Sequence, residues 1–465
     1  MHGPEHLTEL LERGARAHPD RVALVFAGVE RTHAELHDRA ARIAANLAAR
    51  GVRAGDRVAL LLHNGLEFPE TMLACHRLGA CAVPINFRLT QSEIDYILAD
   101  SGAVTLVDGP LPPGEEGPQA PVRASDPALL CYTSGTTGRP KGAVLTHANL
   151  VASTLSWIHE MGATPADVWL SGQPLFHIGG INGMLPFLAL GAKAVITPTT
   201  GFDPEAAVRL MERHAVTMCI FVPTQWDQVT AVPQRSRLRV AMWGAAPASR
   251  QTLEALARTY PGVDIVSAYG QTEMSGATTL LKGADSTRKM GSVGLPMRDV
   301  ELRVVNEAML DVGPDQIGEI VYRGPLVMHG YWNNPEATAE AFAGGWFHSG
   351  DLATRDEEGY LRLVDRKKDM IVSGGENVYP AEVERVLREH PGVTDVAVVG
   401  APHPRWGETP VAFVVGAKVE GAELIEHCRE HLASYKKPTA VHFVSELPRN
   451  AAGKVIKREL RSPQN

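Results

Sequence analysis

A run of hydroxyl-bearing residues, glycines and a lysine between Tyr132 and Gly142 has the composition needed to hold a polyphosphate. The run supplies hydroxyl donors at Thr133, Ser134, Thr136 and Thr137, glycines at Gly135, Gly138 and Gly142, and a cation at Lys141. Glycines let backbone N–H groups approach an anion closely, and the lysine adds positive charge. The run is not a Walker A loop, which has glycine directly before its lysine, because Pro140 precedes Lys141. A Gly/Thr-rich surface turn is the alternative, but it would not need this order of groups.

Further motifs follow along the chain. They are Gly244-Ala245-Ala246-Pro247, Tyr269-Gly-Gln-Thr272-Glu273, Ser349-Gly-Asp351, Asp365-Arg366-Lys-Lys368-Asp369, Ser373-Gly374-Gly375-Glu-Asn-Val-Tyr-Pro380 and Pro448-Arg-Asn-Ala-Ala-Gly-Lys454. With the first run, this set resembles the ordered motifs of the adenylate-forming enzymes, which include acyl-CoA synthetases, firefly luciferase and nonribosomal peptide adenylation domains. The resemblance extends from about the first helix to nearly the last residue.

The resemblance implies a reaction between ATP and a carboxylic acid. The loop from 133 to 141 would hold the β- and γ-phosphates, Glu273 would anchor Mg²⁺, and Thr272 would contact the α-phosphate. Lys454 would bridge the carboxylate and the α-phosphate. His177 would lie beside the acyl group, although a hydrogen-bonded core histidine is a rival interpretation of that residue. Glu273 taken alone would be interpreted as a surface charge, and Lys454 as an ordinary exposed lysine.

The same resemblance implies a nucleoside site. Tyr269 would stack on adenine beside the 244–247 loop, and Asp351 and Arg366 would bind the ribose hydroxyls. Each residue also has a simpler interpretation: Tyr269 as a core aromatic, Asp351 as a turn residue and Arg366 as a surface charge. The joint occurrence of the motifs favours the binding roles.

A second half-reaction follows from the C-terminal motifs. In the acyl-CoA synthetases the small domain rotates about a hinge, and Lys368 occupies the hinge position by resemblance. Gly374 and Gly375 have no side chains to block a passage for the pantetheine thiol of coenzyme A. The sequence therefore predicts an ATP- and Mg²⁺-dependent acyl-CoA ligase of the fatty-acyl type that forms AMP and pyrophosphate. The alternative is an adenylate-forming biosynthetic enzyme with another acceptor or oxyanion, such as one that activates nitrite to diazotise an arylamine.

The acyl pocket is expected to draw on four mostly apolar segments, 178–184, 221–226, 243–245 and 274–278. None of them contains lysine or arginine. An apolar monocarboxylate, fatty or aromatic, is therefore favoured over a dicarboxylate such as malonate. Trp226 and Trp243 are expected to limit the depth of the pocket, with a position in the hydrophobic core as the alternative.

Composition limits the class of protein without identifying it. The chain has 465 residues, a formal net charge of −8 and 44% hydrophobic residues, which is typical of a soluble enzyme of at least two domains and argues against a nucleic-acid partner. Its five cysteines contain no C-x-x-C pair, so neither disulfides nor a zinc site is indicated, and a cytoplasmic location fits best. No signal peptide or transmembrane segment is expected, and a homodimer is left open.

The elements that must position these motifs alternate between short apolar strands and amphipathic helices, which predicts a parallel α/β architecture. Gly142 to Thr146 is predicted to be a strand, and the segment from 178 to 196 a buried helix followed by a strand. From about residue 380 a compact α+β tail is predicted. We therefore expect a large N-terminal adenylation domain of α/β subdomains at 1–366 and a small mobile α+β domain at 367–465.

Overall fold

A computed structural model describes residues 6–115, 117–133, 139–244, 246, 248–417, 419–449 and 453–461. The chain divides into two compact units. Unit 1 comprises Met1–Leu302 and Tyr322–Phe347, and unit 2 comprises Arg303–Val321 and His348–Asn465. The predicted mixed α/β class, with a large N-terminal part and a smaller C-terminal part, is confirmed. The predicted boundary between residues 366 and 367 separates two domains that rotate relative to each other in the proposed reaction, and it stays a prediction.

The helices begin where the sequence supplies caps. In α2 and α5, Thr32 and Thr146 each accept a hydrogen bond from the third helical residue, which bonds back to the cap. The helices of unit 1 are α1 Leu7–Ala17, α2 His33–Ala49, α3 Glu67–Arg77, α4 Gln91–Ser101, α5 His147–Met161, α6 Ile178–Ala189, α7 Pro204–Arg213, α8 Pro223–Ala231, α9 Arg250–Thr259, α10 Asp285–Arg288 and α11 Pro335–Ala341. Those of unit 2 are α12 Pro380–Arg388, α13 Gly421–His431 and α14 Lys457–Arg461.

Short strands connect these helices. In the first third of the chain they are β1 Val22–Phe26, β2 Val29–Thr32, β3 Arg57–Leu60, β4 Cys81–Pro84, β5 Thr105–Val107, β6 Pro127–Thr133 and β7 Lys141–Thr146. The middle contains β8 Val168–Ser171, β9 Lys193–Ile196, β10 Met218–Phe221, β11 Val240–Gly244, β12 Asp264–Gln271, β13 Gly276–Leu281 and β14 Leu295–Pro296. Then follow β15 Glu301–Val305, β16 Gly318–Arg323, β17 Gly330–Tyr331, β18 Phe347–Arg355, β19 Leu361–Arg366, β20 Ile371–Ser373, β21 Glu376–Val378, β22 Val393–His403, β23 Gly407–Gly416 and β24 Ala440–Phe443.

Unit 1 contains two sheets. Within the described residues, one has nine strands in the order β14-β13-β12-β11-β10-β8-β9-β1-β2, and its central strands are parallel. The other has six strands in the order β17-β7-β6-β4-β3-β5. β6 and β7 form an antiparallel hairpin around the phosphate-binding run, and β17 pairs with β7. Both faces of the central strands are buried, as expected for parallel strands between helices.

Unit 2 is built around smaller sheets. A four-stranded sheet of the described chain has the order β15-β16-β18-β19, and the tail forms a sheet with the path β21-β20-β23-β22 to which β24 is added beside β23. Apolar residues of α12 and α13 pack with this second sheet around Val398, Ala412 and Leu424. Across the described parts of both units, no helix has the length and apolar character needed to cross a bilayer.

Candidate active site

The predicted phosphate-binding run begins in β6 and ends in β7, two strands that pair antiparallel. Thr133 and Lys141 are the paired partners at the end of the hairpin next to the connecting residues. A Cβ on Gly142 would lie 2.8 Å from Cδ1 of Leu130, so any larger residue there would require this side chain to move. The predicted donors between these anchors, Ser134, Gly135, Thr136, Thr137 and Gly138, lie outside the described residues.

Glu273 lies in a 3₁₀ turn, Thr272–Met274, that directly follows β12. The chain can fold back closely here because residue 270 is glycine: a Cβ would collide with the carbonyl of Gly276 on the neighbouring strand. The backbone N–H of Met328 donates to the Glu273 carbonyl at 2.7 Å, which fixes the turn. Glu273 is only 9% exposed, so it is not a surface charge, and Thr272 beside it is half-buried.

Two hydroxyl groups donate to one oxygen of the Glu273 carboxylate. Thr133 Oγ1 and Tyr331 OH each lie 3.1 Å from Oε1. Among the described residues, no donor bonds the other oxygen, Oε2. Mg²⁺ prefers oxygen ligands and is usually bound by one or two carboxylates together with phosphate oxygens. The chemistry of this donor set therefore fits Mg²⁺, with Oε2 available as a ligand beside the phosphate-binding hairpin.

Tyr331 is a site residue that the sequence analysis missed. Its strand β17 pairs with β7, so that Tyr331 lies opposite Ala143. The Lys141 ammonium lies 5.1 Å from the centre of the Tyr331 ring. Tyr331 therefore contacts both Glu273 and the lysine of the phosphate run. No local pattern marks it, because Glu273 lies 58 positions earlier in the chain.

The predicted adenine-side residues meet at the carboxyl ends of two adjacent parallel strands. Gly244 ends β11 opposite Ala268 of β12, and a Cβ on Gly244 would lie 2.9 Å from the Ala268 carbonyl oxygen. Tyr269 is the next residue of β12 and is half-buried, so it is not a core aromatic. Ligands of open α/β sheets bind at such strand ends. Ala246 is exposed, and the remaining loop residues Ala245 and Pro247 lie outside the described part of the chain.

His177 begins helix α6 as its N-cap. Its Nδ1 accepts a hydrogen bond from the backbone N–H of Gly179 at 3.2 Å, and the side chain is exposed. The rival interpretation of His177 as a core histidine is therefore wrong. The helix behind it is buried over most of its length, so His177 sits at the exposed start of a core element.

Trp226 belongs to the hydrophobic core. It is completely buried, and its indole N–H donates to the Met242 carbonyl at 2.7 Å. Its ring packs edge-on against Phe221 and Tyr260. Trp243, 5% exposed, is part of the same cluster. For Trp226 the core alternative is therefore correct.

In unit 2, Asp351 and Arg366 form an ion pair across two antiparallel strands. They are paired partners on β18 and β19, and Arg366 Nε lies 2.7 Å from Asp351 Oδ1. Asp351 is 6% exposed, whereas the arginine side chain is 43% exposed. Gly350 has a φ of 69°, the left-handed conformation that favours glycine in this turn. The structure thus brings together the two residues assigned to the ribose.

Glu319 is a second residue that the sequence analysis missed. It accepts hydrogen bonds from His348 Nδ1 at 3.0 Å, Lys367 Nζ at 2.9 Å and the Gly350 backbone N–H at 3.2 Å. Burial raises the pKa of Glu319, but the bonds from His348 and Lys367 outweigh burial, so the pKa is lowered. The ionised carboxylate therefore links the Ser349–Asp351 turn to Lys367. Lys367 directly precedes the predicted hinge residue Lys368, which is exposed.

Gly374 and Gly375 form the two-residue turn between β20 and β21. Ser373 pairs with Glu376, and the two glycines have φ values of 62° and 89°. Positive φ at both positions defines a type I′ turn, for which glycine is suited. A Cβ on Gly375 would meet nothing within 4 Å, and both glycines are exposed. Turn geometry is thus sufficient to explain both glycines, independently of any passage for a substrate.

Lys454 lies at the exposed end of a loop held by Arg449. Arg449 Nη1 donates to the Gly453 carbonyl at 2.6 Å, and its Nη2 pairs with Asp395. Residues 449 and 455 form an isolated β-bridge that closes the loop. Arg449 is not among the predicted site residues, although it lies within the motif that contains Lys454.

Each unit therefore assembles part of the predicted set. Unit 1 brings Thr133, Lys141 and Glu273 together with Tyr331, and places Tyr269 beside Gly244. Unit 2 pairs Asp351 with Arg366. The roles assigned to these residues, to Thr272, His177 and Lys454, and to the hinge and glycine turn stay predictions.

Comparison with known proteins gives a consistent result over nearly the whole chain. The family described as "AMP-binding enzyme" matches residues 11–112 and 108–332, and "AMP-binding enzyme C-terminal domain" matches residues 382–454. A feruloyl-CoA synthase of Amycolatopsis sp is 42% identical, with 97% of each chain covered. A 2-succinylbenzoate–CoA ligase of Geobacillus kaustophilus is 38% identical, covering 97% of this chain and 96% of the relative.

A solved structure shows the same fold. The o-succinylbenzoate CoA synthetase of Bacillus subtilis, in complex with its acyl-adenylate intermediate, superimposes with a TM-score of 0.90 at 34% identity and 98% coverage of both chains. The same enzyme in complex with ATP and a magnesium ion gives a TM-score of 0.89 at 33% identity, with 97% of this chain and 99% of that chain covered.

Proposed function

The chain belongs to the AMP-binding enzyme family and is an AMP-forming acid–thiol ligase that uses ATP, Mg²⁺ and coenzyme A, and we propose that its substrate is an aromatic monocarboxylic acid. Its relatives act on ferulate and 2-succinylbenzoate, and both acids are aromatic. This supports an aromatic substrate over the fatty acid that the predicted fatty-acyl type of ligase would favour.

The absence of cations from the acyl segments supports a single carboxylate. Segments 178–184, 221–226, 243–245 and 274–278 contain no lysine or arginine. Their buried polar groups are neutral: Asn182 donates to Ser153 Oγ at 3.0 Å, and Ser153 donates to the Ser275 carbonyl at 3.0 Å. A second carboxylate beside these segments would be desolvated without a compensating charge. 2-Succinylbenzoate has two carboxylates, whereas ferulate has one, so we expect ferulate-like acids to be preferred.

Activation of the acid requires two anions to meet. A carboxylate oxygen attacks the α-phosphorus of ATP, and pyrophosphate leaves with the electron pair of the broken P–O bond. Mg²⁺, when bound, neutralises charge on the phosphate oxygens. In our proposal Glu273, held by Thr133 and Tyr331, supplies the carboxylate ligand, Lys141 binds the outer phosphates, and Lys454 neutralises the reacting carboxylate and α-phosphate.

Thioester formation follows on the same chain. The thiol sulfur of coenzyme A attacks the acyl carbonyl, AMP leaves, and the thiol proton is released. We propose that Lys368 is the hinge about which the C-terminal domain turns between the two steps, and that the exposed Gly374–Gly375 turn borders the path of the thiol. The support for both roles is the family motif together with the exposure of these residues.

The observation that carries the substrate proposal is the uncharged, partly apolar composition of the four acyl segments. We would measure pyrophosphate release and thioester formation with ferulate, 2-succinylbenzoate, a medium-chain fatty acid and malonate, each with and without coenzyme A. The expected result is the highest kcat/KM for ferulate or a similar aromatic monocarboxylate. Preference for a fatty acid or a dicarboxylate would overturn the proposal. A nitrite and arylamine pair belongs in the same panel as a test of the alternative acceptor chemistry.

A further inference from the structure

Helix α13 of unit 2 ends in a group of three side chains that can bind a metal ion. His427, Glu430 and His431 occupy positions i, i+3 and i+4, so they share one face of the helix. One potential ligand atom of each residue lies within 4.8 Å of the others. Leu424 and Cys428, which precede His427 and His431 by three residues each, are buried in the core, so the group borders the buried face of the helix. Neither the family motifs nor the proposed reaction uses this group.

Hydrogen bonds to backbone carbonyls fix which nitrogen of each histidine can act as a ligand. His427 Nε2 lies 3.0 Å from the Val386 carbonyl oxygen, and His431 Nδ1 lies 2.8 Å from the His427 carbonyl oxygen. A carbonyl only accepts, so these two nitrogens carry the protons. The lone pairs of the neutral rings are therefore on Nδ1 of His427 and Nε2 of His431. Histidines that bind metals characteristically donate their other N–H in this way.

The surroundings leave the three ligands free for a cation. Arg429, the nearest arginine in sequence, is paired with Glu426 at 2.8 Å. Glu423, on the same helix, lies 3.3 Å from His390 Nε2. Glu430 is exposed, so its side chain can change rotamer while the two histidines keep their hydrogen bonds. Such adjustment is needed, because a tetrahedral ion with Zn–N bonds of about 2.1 Å holds its ligands about 3.4 Å apart.

We propose that His427, Glu430 and His431 form a binding site for a divalent transition metal ion such as Zn²⁺. Two imidazoles and a carboxylate are ligands that Zn²⁺ accepts, and solvent would complete the coordination. Because His427 also bonds the last turn of α12 through Val386, an ion bound here would tie α13 to α12. Mg²⁺ prefers oxygen ligands and is not expected to compete.

The test is calorimetric titration of the chelator-treated full-length protein with Zn²⁺, in buffer with excess Mg²⁺ so that oxygen-ligand sites are filled. We expect His431→Ala and Glu430→Gln each to weaken the zinc affinity of one site by about tenfold or more. Loss of an outer-shell partner of a metal already lowers the affinity by about this factor, and loss of a direct ligand should lower it at least as much. His442→Ala, which removes an exposed histidine elsewhere in unit 2, should bind zinc like the wild type.

A second measurement does not depend on calorimetry. Zinc should raise the melting temperature of the wild type and of His442→Ala, because a ligand that binds only the folded state stabilises it. The rise should shrink in Glu430→Gln, which changes an exposed side chain by a single charge. Equal zinc affinity in the wild type and both ligand variants, or no zinc binding by the wild type, would overturn the proposal.

Discussion

At Glu273, neutral groups hold a buried carboxylate in place and leave one of its oxygens for a ligand. Thr133 and Tyr331 both donate to Oε1, and the tyrosine ring also faces Lys141. A lysine bonded directly to Glu273 would cancel the charge that the metal requires. Tyrosine and threonine orient the carboxylate without neutralising it, which explains why hydroxyl groups occupy these positions.

Replacing Tyr331 by phenylalanine should weaken the use of Mg²⁺ and ATP. The change removes one hydrogen bond to a charged group, which is typically worth about 1.5–3 kcal/mol, so kcat/KM for ATP should fall about tenfold or more. More Mg²⁺ should be needed for half-maximal pyrophosphate release. The measurement is a Mg²⁺ titration of that release.

The matched control is Tyr260→Phe, which removes the hydroxyl bond to Gln234 in the core of the same unit. This variant should keep the Mg²⁺ dependence of the wild type. If Tyr331→Phe lowered the melting temperature but left the Mg²⁺ titration unchanged, the tyrosine would be structural only.

Lys454→Ala should separate the two half-reactions. The lysine is proposed to neutralise charge at the transferring phosphorus, and loss of such a group costs about a hundredfold or more in rate. Thioester formation from a supplied acyl adenylate should persist, because that step does not use the lysine. Lys437→Ala, in the same unit, is the control. Equal loss of both steps would indicate that the variant is merely destabilised.

At the scale of elements, the periodicity of apolar residues predicted the longer helices and strands but not the shortest strands. The buried helix α6 and strand β9 lie within the predicted 178–196 segment. Two-residue β17 and the β20–β21 hairpin were not predicted, because strands this short have no pattern of their own and exist through their pairing partners. Trp226 shows the same limit: its type suited a pocket or a core equally, and only packing decided for the core.

The predicted hinge residue Lys368 lies in the 3₁₀ turn Lys367–Asp369, between β19 and β20. Lys368→Pro should leave pyrophosphate release close to that of the wild type and suppress thioester formation. Proline fixes φ near roughly −65° and restricts the preceding residue, so the turn could not absorb the dihedral change of a rotation. Lys368→Ala, which keeps the backbone free, should retain both steps. Unchanged thioester formation in the proline variant would remove Lys368 from the hinge.

At the scale of the whole molecule, sequence motifs predicted which residues would matter but not how the chain groups them. Asp351 and Arg366 lie 15 positions apart, and strand pairing makes them direct partners. Glu319, which holds the turn beside them, is far away in the sequence and belongs to no predicted motif. Contacts of this kind depend on strand register, which is set by packing of the complete fold rather than by local residue types.

The stability of the folded chain should decline as the pH falls below the ordinary histidine pKa of 6.5. Burial lowers the pKa of His76 to about 4 and, with the charges of His76 and His6, lowers that of His147 to about 2. Both rings therefore stay neutral in the folded state, whereas the unfolded chain takes up protons below pH 6.5. Because the unfolded state then binds more protons than the folded state, the free energy of unfolding decreases as the pH is lowered. For His76 this decrease continues until about pH 4.

Melting temperatures measured from pH 8 to pH 5 test this expectation with His76→Asn. Asparagine does not titrate, although its amide is too short to replace His76 Nε2, which lies 3.0 Å from the Ala128 carbonyl oxygen. Each unit of pKa difference corresponds to about 1.4 kcal/mol, so the variant should lose less stability on acidification than the wild type, whatever its stability at pH 8. His442→Asn, at an exposed histidine, should retain the wild-type pH dependence. If His76→Asn lost stability as steeply as the wild type between pH 6.5 and pH 5, protonation of His76 in the unfolded state would not be the cause.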